Sequence, residues 1–136
     1  MSEAQQLSQQ YEELSEEVQE LQKVVAQLEA TIQGCKNAKE TLESVEDGDE
    51  ILVPLGGEAK VHATVERVDD VLVDVGADVT VELGRDDAVE TLDDKIDELK
   101  ESKRKTEAEV EDKQDRIEEV AQRAQQMQQQ GRGREE

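Results

Sequence analysis

Two long stretches of the chain place apolar or small residues at alternating steps of three and four. In the first stretch this spacing runs from Leu7 to Leu42, and in the second it runs from Val89 to Met127. Such spacing predicts coiled-coil helices, because each seven-residue repeat returns its apolar side chains to one stripe of the helix. The two stripes are nearly equal in length, so we expect the helices to fold back on each other and bury both.

The segment between the two helices, residues 49–84, changes to a period of two. Apolar and polar residues alternate in four short runs, and turn-forming residues separate the runs at Gly56-Gly57, Asp69-Asp70 and Gly76-Ala77-Asp78. This pattern predicts four strands arranged as two β-hairpins. Pro54 has no backbone N–H to donate, so we expect the first strand to be an edge strand or to end irregularly.

The predicted fold is therefore α+β: an antiparallel two-helix coiled-coil hairpin whose helices are joined by two β-hairpins. The expected segments are an N-terminal coiled-coil helix over 1–47, the two hairpins over 48–85, a C-terminal coiled-coil helix over 86–128 and a flexible tail over 129–136. Ser2 with Gln5 and Asp87 with Glu90 are the expected caps at the two helix starts.

The predicted sheet has one apolar face and no helix left to cover it. An isolated sheet of this size is not stable in water, so we expect the hairpins to oligomerise into a β-barrel platform with other subunits. The residues expected at this interface alternate along the strands: Ile51, Val53, Leu55, Val61, Val65, Val71, Val73, Val75, Val79, Val81 and Leu83.

Composition excludes several functions. The chain has 136 residues with 37 Asp plus Glu against 16 Lys plus Arg, a net charge of −21, one Tyr, and no Phe or Trp. A nucleic-acid surface is not expected, because phosphate binding needs clustered basic residues. No apolar run approaches a membrane span, and no apolar signal segment opens the chain, which favours a cytoplasmic protein. The acidic residues occur in all three segments, so the surface is expected to be acidic throughout.

No catalytic, cofactor or metal site is expected from the sequence. His62 alternates onto the polar face of its strand with no nucleophile nearby, and Cys35 occupies a position in the coiled-coil stripe. Asp47, Asp49 and Glu50 lack the twelve-residue spacing and closing Glu of a calcium loop. We therefore expect a protein that is not an enzyme and needs neither cofactor nor metal.

The order of these elements resembles the alpha class of archaeal prefoldin. The residues that carry the resemblance are Ile51-Leu52-Val53-Pro54-Leu55-Gly56 and Val71-Leu72-Val73-Asp74-Val75-Gly76-Ala77, between two heptad helices. Two hairpins rather than one fit the alpha class, whereas Ala59 and His62 stand where that family's second strand usually has an aromatic residue. The high acidity is similar to that of proteins from salt-loving archaea.

The resemblance implies an ATP-independent chaperone subunit, a holdase. Such a subunit would assemble with prefoldin beta subunits, two alpha with four beta, bind non-native proteins at the tips of its arms and deliver them to a group II chaperonin. The tip residues implied as client contacts are Leu7, Tyr11, Leu14, Ile117, Val120, Ala124 and Met127.

Two alternatives remain open at the level of sequence. Tyr11 and Met127 also fit plain packing between the helices, and the whole chain also fits a structural coiled-coil adaptor or scaffold with no client-holding activity. Polar residues interrupt the stripes at Lys39, Lys103, Thr106 and Lys113, and these either set the register of the two helices or loosen the arm.

Overall fold

The computed structural model describes the backbone of residues 2–135 and the side chains of residues 2–131. The elements follow in the order α1 (Glu3–Ser44), β1 (Glu50–Gly56), β2 (Ala59–Thr64), β3 (Val71–Gly76), β4 (Val79–Leu83) and α2 (Arg85–Glu135). These elements confirm the predicted class of two long helices with two small β-hairpins between them.

The first helix begins with the predicted capping box. The backbone N–H of Gln5 donates to Ser2 Oγ, and the backbone N–H of Ser2 donates to Gln5 Oε1, each over 3.2 Å. These reciprocal bonds satisfy donors that a helix start leaves unpaired. The helix ends at Ser44, four residues before Gly48, whose φ of +89° is a backbone conformation that favours glycine.

The second helix differs from the sequence prediction at both ends. It begins at Arg85, and its first-turn bond runs from Ala88 N to Gly84 O over 2.9 Å, so the cap expected at Asp87 is wrong and Asp87 lies inside the first turn. At the other end the helix continues to Glu135, beyond the expected boundary at Gln128. Glutamine and arginine are good helix formers, and they offset the cost of about 1 kcal/mol for each interior glycine.

The chain divides into two compact units. The first comprises Met1–Ala30 and Leu99–Glu136, and the second is Thr31–Glu98. In the first unit α1 and α2 run antiparallel, as shown by ion pairs that join Glu29 to Lys103 and Glu17 to Lys113. Within this unit the predicted stripe positions are buried or half-buried, with the exception of Tyr11.

The second unit contains both hairpins and a small buried core. The buried side chains come from both helices, from β3 and from the loop before it: Ile32, Cys35, Val68, Val73, Ala88, Leu92 and Ile96. Two polar contacts hold the loops beside this core: Val68 N donates to Asp47 Oδ1 over 2.8 Å, and Arg85 Nη2 donates to Val45 O over 2.6 Å.

Each β-hairpin is an antiparallel pair with a bulge before its turn. In the first, Ile51 faces Ala63 and Val53 faces Val61; in the second, Val73 faces Val81. Both turns hold two central residues at positive φ, Gly57-Glu58 and Ala77-Asp78, which is the conformation of the tight turns that match the twist of a hairpin. Among the described residues no strand ladder joins the two hairpins.

Candidate functional site

An apolar groove lies between the first turns of α1 and the last turns of α2. We call it the tip groove; its volume is about 550 Å³ and it is lined by Ala4, Leu7, Ser8, Tyr11, Val120, Ala121, Ala124, Gln125, Met127 and Gln128. All of these side chains are uncharged. Residues 4–11 and 120–128 thus form an open surface that apolar groups can contact.

The predicted client residues are not equally available in this groove. Leu7 is buried, Val120, Ala124 and Met127 are half-buried, and Tyr11 is 46% exposed although it occupies a stripe position. A tyrosine at this exposure contributes an apolar ring and a hydroxyl to the surface. Tyr11 is therefore the residue of the predicted set that the structure leaves most open to a partner.

The other two predicted client residues, Leu14 and Ile117, do not line the tip groove. Leu14 lines a neighbouring groove of about 450 Å³, which shares Leu7 and Val120 with the first. Ile117 is half-buried in the helix pair and lines none of the grooves described here. The structure thus brings together five of the seven residues that the sequence placed in one site.

The neighbouring groove has a different chemistry. Its charged lining residues are Glu13, Glu17, Glu119, Arg116 and Arg123. Of these residues, the exposed Arg123 lies 3.8 Å from Glu3, measured from Nη2 to Oε1. Along the helix pair, charged lining therefore gives way to uncharged lining where the tip groove begins.

The distribution of charge corrects the expectation that the surface is acidic throughout. Residues 12–119 contain 34 acidic and 13 basic side chains and therefore hold the whole net charge of −21. The terminal segments 1–11 and 120–136 contain three acidic and three basic residues between them. Each helix combines a neutral end with a strongly acidic remainder, so a charge count over a whole helix averages the two.

The lysines that interrupt the helix stripes each have a partner on the opposite helix. Lys113 Nζ lies 2.6 Å from Glu17 Oε2, and Lys103 Nζ lies 3.3 Å from Glu29 Oε1 in the same unit. Each lysine is mostly buried along its stem and reaches a carboxylate at the edge of the stripe. These contacts favour the interpretation that the lysines set the antiparallel register.

Lys39 makes the corresponding contact in the second unit. Its Nζ lies 2.9 Å from Asp93 Oδ1, with the lysine side chain one-third exposed and the aspartate half-exposed. The hydrogen bond to Asp93 and the charge of that carboxylate raise the pKa of Lys39 above its usual value; desolvation opposes this, and Glu43 adds to it. The pair is thus a charged contact in the folded state.

Thr106, the remaining polar stripe residue, is satisfied within its own helix. Its hydroxyl donates to the carbonyl of Ser102 over 2.9 Å. This bond to the preceding turn lets a half-buried hydroxyl occupy the stripe without a partner across the helix pair.

The strand residues predicted at the oligomerisation interface remain largely uncovered in the single chain. Leu55 is 68% exposed, and Ile51, Val61, Val75 and Val79 are also exposed. The remaining members are buried or half-buried: Val53, Val65, Val71, Val73, Val81 and Leu83. Exposed apolar residues on each of the two small hairpins are typical of surfaces that a partner covers.

Two exposed leucines on these hairpins lie outside the predicted interface set. Leu52 is 56% exposed and Leu72 is 71% exposed, and each occupies the second or third position of its strand. Leu52 pairs with His62 and Leu72 pairs with Glu82 across the ladders. Both leucines therefore lie on the strand face that the alternation predicts to be polar. The signal available in the sequence was the unbroken apolar runs Ile51-Leu52-Val53 and Val71-Leu72-Val73.

Acidic residues near the first hairpin act as acceptors for the backbone. Asp47 Oδ1 accepts from Val68 N, and Asp49 Oδ2 accepts from Glu46 N over 2.8 Å. Among the described residues no group of three or more His, Cys, Asp or Glu side chains is arranged to hold a metal ion. The described helices include none that is long and apolar enough to cross a membrane.

The fold and the tip groove together define a class: coiled-coil arm proteins in which two long antiparallel helices are linked by β-hairpins. A family model described as prefoldin subunit matches residues 14–130. The chain belongs to the prefoldin family.

Named relatives specify the subunit type. The chain is 41% identical over 81 residues to a prefoldin subunit alpha of Haloarcula marismortui, covering 54% of this chain and 53% of that protein. It is 31% identical over 115 residues to a prefoldin subunit alpha of Methanospirillum hungatei, covering 78% and 76%. A third, from Haloquadratum walsbyi, is 40% identical over 62 residues, covering 46% and 40%. The chain thus spans about half the length of the first curated relatives it matches, and the predicted resemblance to archaeal alpha-class prefoldin is confirmed.

A solved structure extends the similarity to the fold. The cryo-EM structure of filamentous PFD from Methanocaldococcus jannaschii matches with a TM-score of 0.54 and 28% sequence identity, covering 89% of this chain and 98% of that chain. That neighbour supports the same arrangement of helices and hairpins here.

Proposed function

We propose that this chain is a prefoldin alpha subunit that acts as an ATP-independent holdase. Membership of the prefoldin family supports a chaperone role and a protein without catalytic activity. In this proposal the tip groove binds apolar segments of non-native proteins, and the bound chain is then transferred to a group II chaperonin. The observation that supports client binding most directly is the uncharged groove beside the exposed Tyr11.

The hairpins would serve assembly in this proposal. Their exposed apolar residues, including Leu55 and Leu72, need a partner to remove them from water. We propose a hexamer of two alpha and four beta subunits in which the hairpins form a β-barrel platform. Each tip would then supply a weak contact, and several tips in one complex would raise the effective concentration of contacts for a single client.

Weak contacts at several tips suit a holdase better than one tight site. A client must be retained while it is non-native and released to the chaperonin without ATP. Apolar grooves that contain a ring, a thioether and small side chains accept varied partners, because Met127 and Tyr11 can adapt to different shapes. The acidic surface over the rest of the helix pair would keep uncharged apolar and acidic client segments from adhering along its length.

A test of client holding uses aggregation of a chemically denatured protein diluted into molar KCl. The assembled complex would contain either the full chain or a chain lacking the residues before Leu14 and after Ile117. We expect the full complex to suppress light scattering and the shortened one to lose suppression while its oligomeric state is unchanged. No suppression by an intact oligomer would contradict the holdase proposal and favour the scaffold interpretation.

Point variants refine this test. The double variant Tyr11→Ala with Met127→Ala removes the adaptable groups of the groove. Val24→Ala is the matched control, because Val24 is also an apolar residue of α1, 41% exposed, but it lies outside the groove. We expect the double variant to require several-fold more complex for equal suppression and the control to behave as the unaltered chain.

A further inference from the structure

The ends of the helices differ from the rest of the chain in charge. No lining residue of the tip groove is charged, whereas the neighbouring groove contains three glutamates and two arginines. The terminal segments 1–11 and 120–136 together contain three acidic and three basic residues and are therefore neutral in sum. The groove therefore lies in the part of the chain where a negatively charged partner meets the least repulsion.

This difference affects which non-native segments can bind. An apolar segment flanked by carboxylates is repelled along residues 12–119, because these residues hold the whole net charge of −21. At the groove the same segment meets the amides of Gln125 and Gln128, which can donate hydrogen bonds, while the nearby Arg123 is paired with Glu3. A segment flanked by lysines is instead attracted to carboxylates over the length of the helices.

We propose that the tip groove accepts apolar segments with acidic flanks in non-native chains, which the rest of the helix pair repels. This inference rests on the proposed client-holding function and specifies its substrate class. The absence of carboxylates from the groove lets such segments bind there, and the surrounding acidic surface repels the same segments along the rest of the helix pair.

The test measures binding of labelled peptides to the oligomer that this chain forms, alone or with a beta-class subunit, by fluorescence anisotropy. The peptides share the apolar core Leu-Val-Ala-Leu and differ in flanks of Asp or Ser. The variant Gln125→Glu with Gln128→Glu adds two carboxylates to the groove. Gln19→Glu with Gln114→Glu is the matched control, because both residues are exposed and neither lines the groove.

For the unaltered chain we expect the Asp-flanked and Ser-flanked peptides to bind with similar affinity, and both to be lost when the helix ends are removed. The groove variant should bind the Asp-flanked peptide about tenfold more weakly, because two carboxylates would then face those of the peptide at contact distance. Its binding of the Ser-flanked peptide should change little, and the control should match the unaltered chain. All comparisons use the lowest KCl concentration at which circular dichroism shows a folded complex.

Two results would overturn the inference. If the unaltered chain binds the Ser-flanked peptide but rejects the Asp-flanked one, the groove holds clients but does not accept acidic flanks. If the groove variant and the control weaken binding of the Asp-flanked peptide equally, the affinity depends on the total charge of the chain and not on the residues of the groove. Failure of every peptide to bind, or binding that survives removal of the helix ends, would refute the proposed holding site itself.

Discussion

The contact between Glu17 and Lys113 should make a measurable contribution to the stability of the helix pair. The two charged groups lie 2.6 Å apart, and the side chains are 52% and 24% exposed, respectively. Fully exposed pairs contribute about 0.2–1 kcal/mol, and partial burial of the lysine places this pair at the upper end of that range. We therefore expect a coupling energy of about 1 kcal/mol.

A double-mutant cycle with Glu17→Gln and Lys113→Met isolates this energy. Each substitution nearly preserves side-chain length, so the cycle removes the charges with little change in packing. Urea unfolding at fixed protein concentration, followed by circular dichroism in dilute and in molar KCl, gives the four free energies of unfolding. The coupling should persist in part in molar KCl, because the two groups are in direct contact with no ion between them.

The control is a pair that lies on one face of α1. Lys23 and Glu20 are 3.3 Å apart with side chains 71% and 74% exposed, so their coupling should not exceed about 0.3 kcal/mol and should vanish in salt. A Glu17–Lys113 coupling no larger than that of the control pair would refute the argument that the interrupting lysines set the register.

Three further predictions concern pH, turn geometry and salt. Asp93 raises the pKa of Lys39, so the stabilisation from this pair is fully present below pH 10.5, the ordinary lysine value, and is lost as pH rises through the higher folded-state pKa. The difference in free energy of unfolding between the unaltered chain and Lys39→Met should therefore shrink over that alkaline range. A difference that stays constant with pH would contradict this prediction. Ala77 has a φ of +50°, so Ala77→Gly should stabilise the second hairpin by about 0.5–1 kcal/mol in thermal unfolding, and destabilisation would show that this turn is not strained. The net charge of −21 should lower helical content and the melting temperature in dilute buffer relative to molar KCl, and equal values would show that self-repulsion is not significant.

Periodicity was sufficient to predict the elements of this fold and most of the positions that the two helices bury. Stripe positions such as Val18, Ile32 and Ile96 are buried, because a sustained heptad repeat places these side chains on the side of each helix that faces the other helix. Helix boundaries were less predictable. The start of α2 at Arg85 rather than after Asp87 depended on a backbone bond to Gly84 that no side chain indicates.

The candidate site was only partly predictable for a related reason. Stripe spacing identified Leu7, Val120 and Ala124, but the groove also uses Ala4 and Gln125, which lie beside the stripe. Such flanking positions become visible only when two helices are placed together. The exposed Leu52 and Leu72 were not predicted, because strand alternation assigns apolar residues to one face only. These two strands have apolar residues on both faces.

The measurement that tests the account most directly is site-specific crosslinking of a non-native client to the assembled complex. A photoreactive amino acid would replace Tyr11 in the tip groove, Val24 on the exposed surface of α1, or Leu72 on the second hairpin. A holding site at the tip groove predicts strong client crosslinking from position 11 and little from position 24. Position 72 should crosslink to other subunits rather than to the client. Equal client crosslinking from positions 11 and 24, or client crosslinks mainly from position 72, would contradict a holding site at the tip groove.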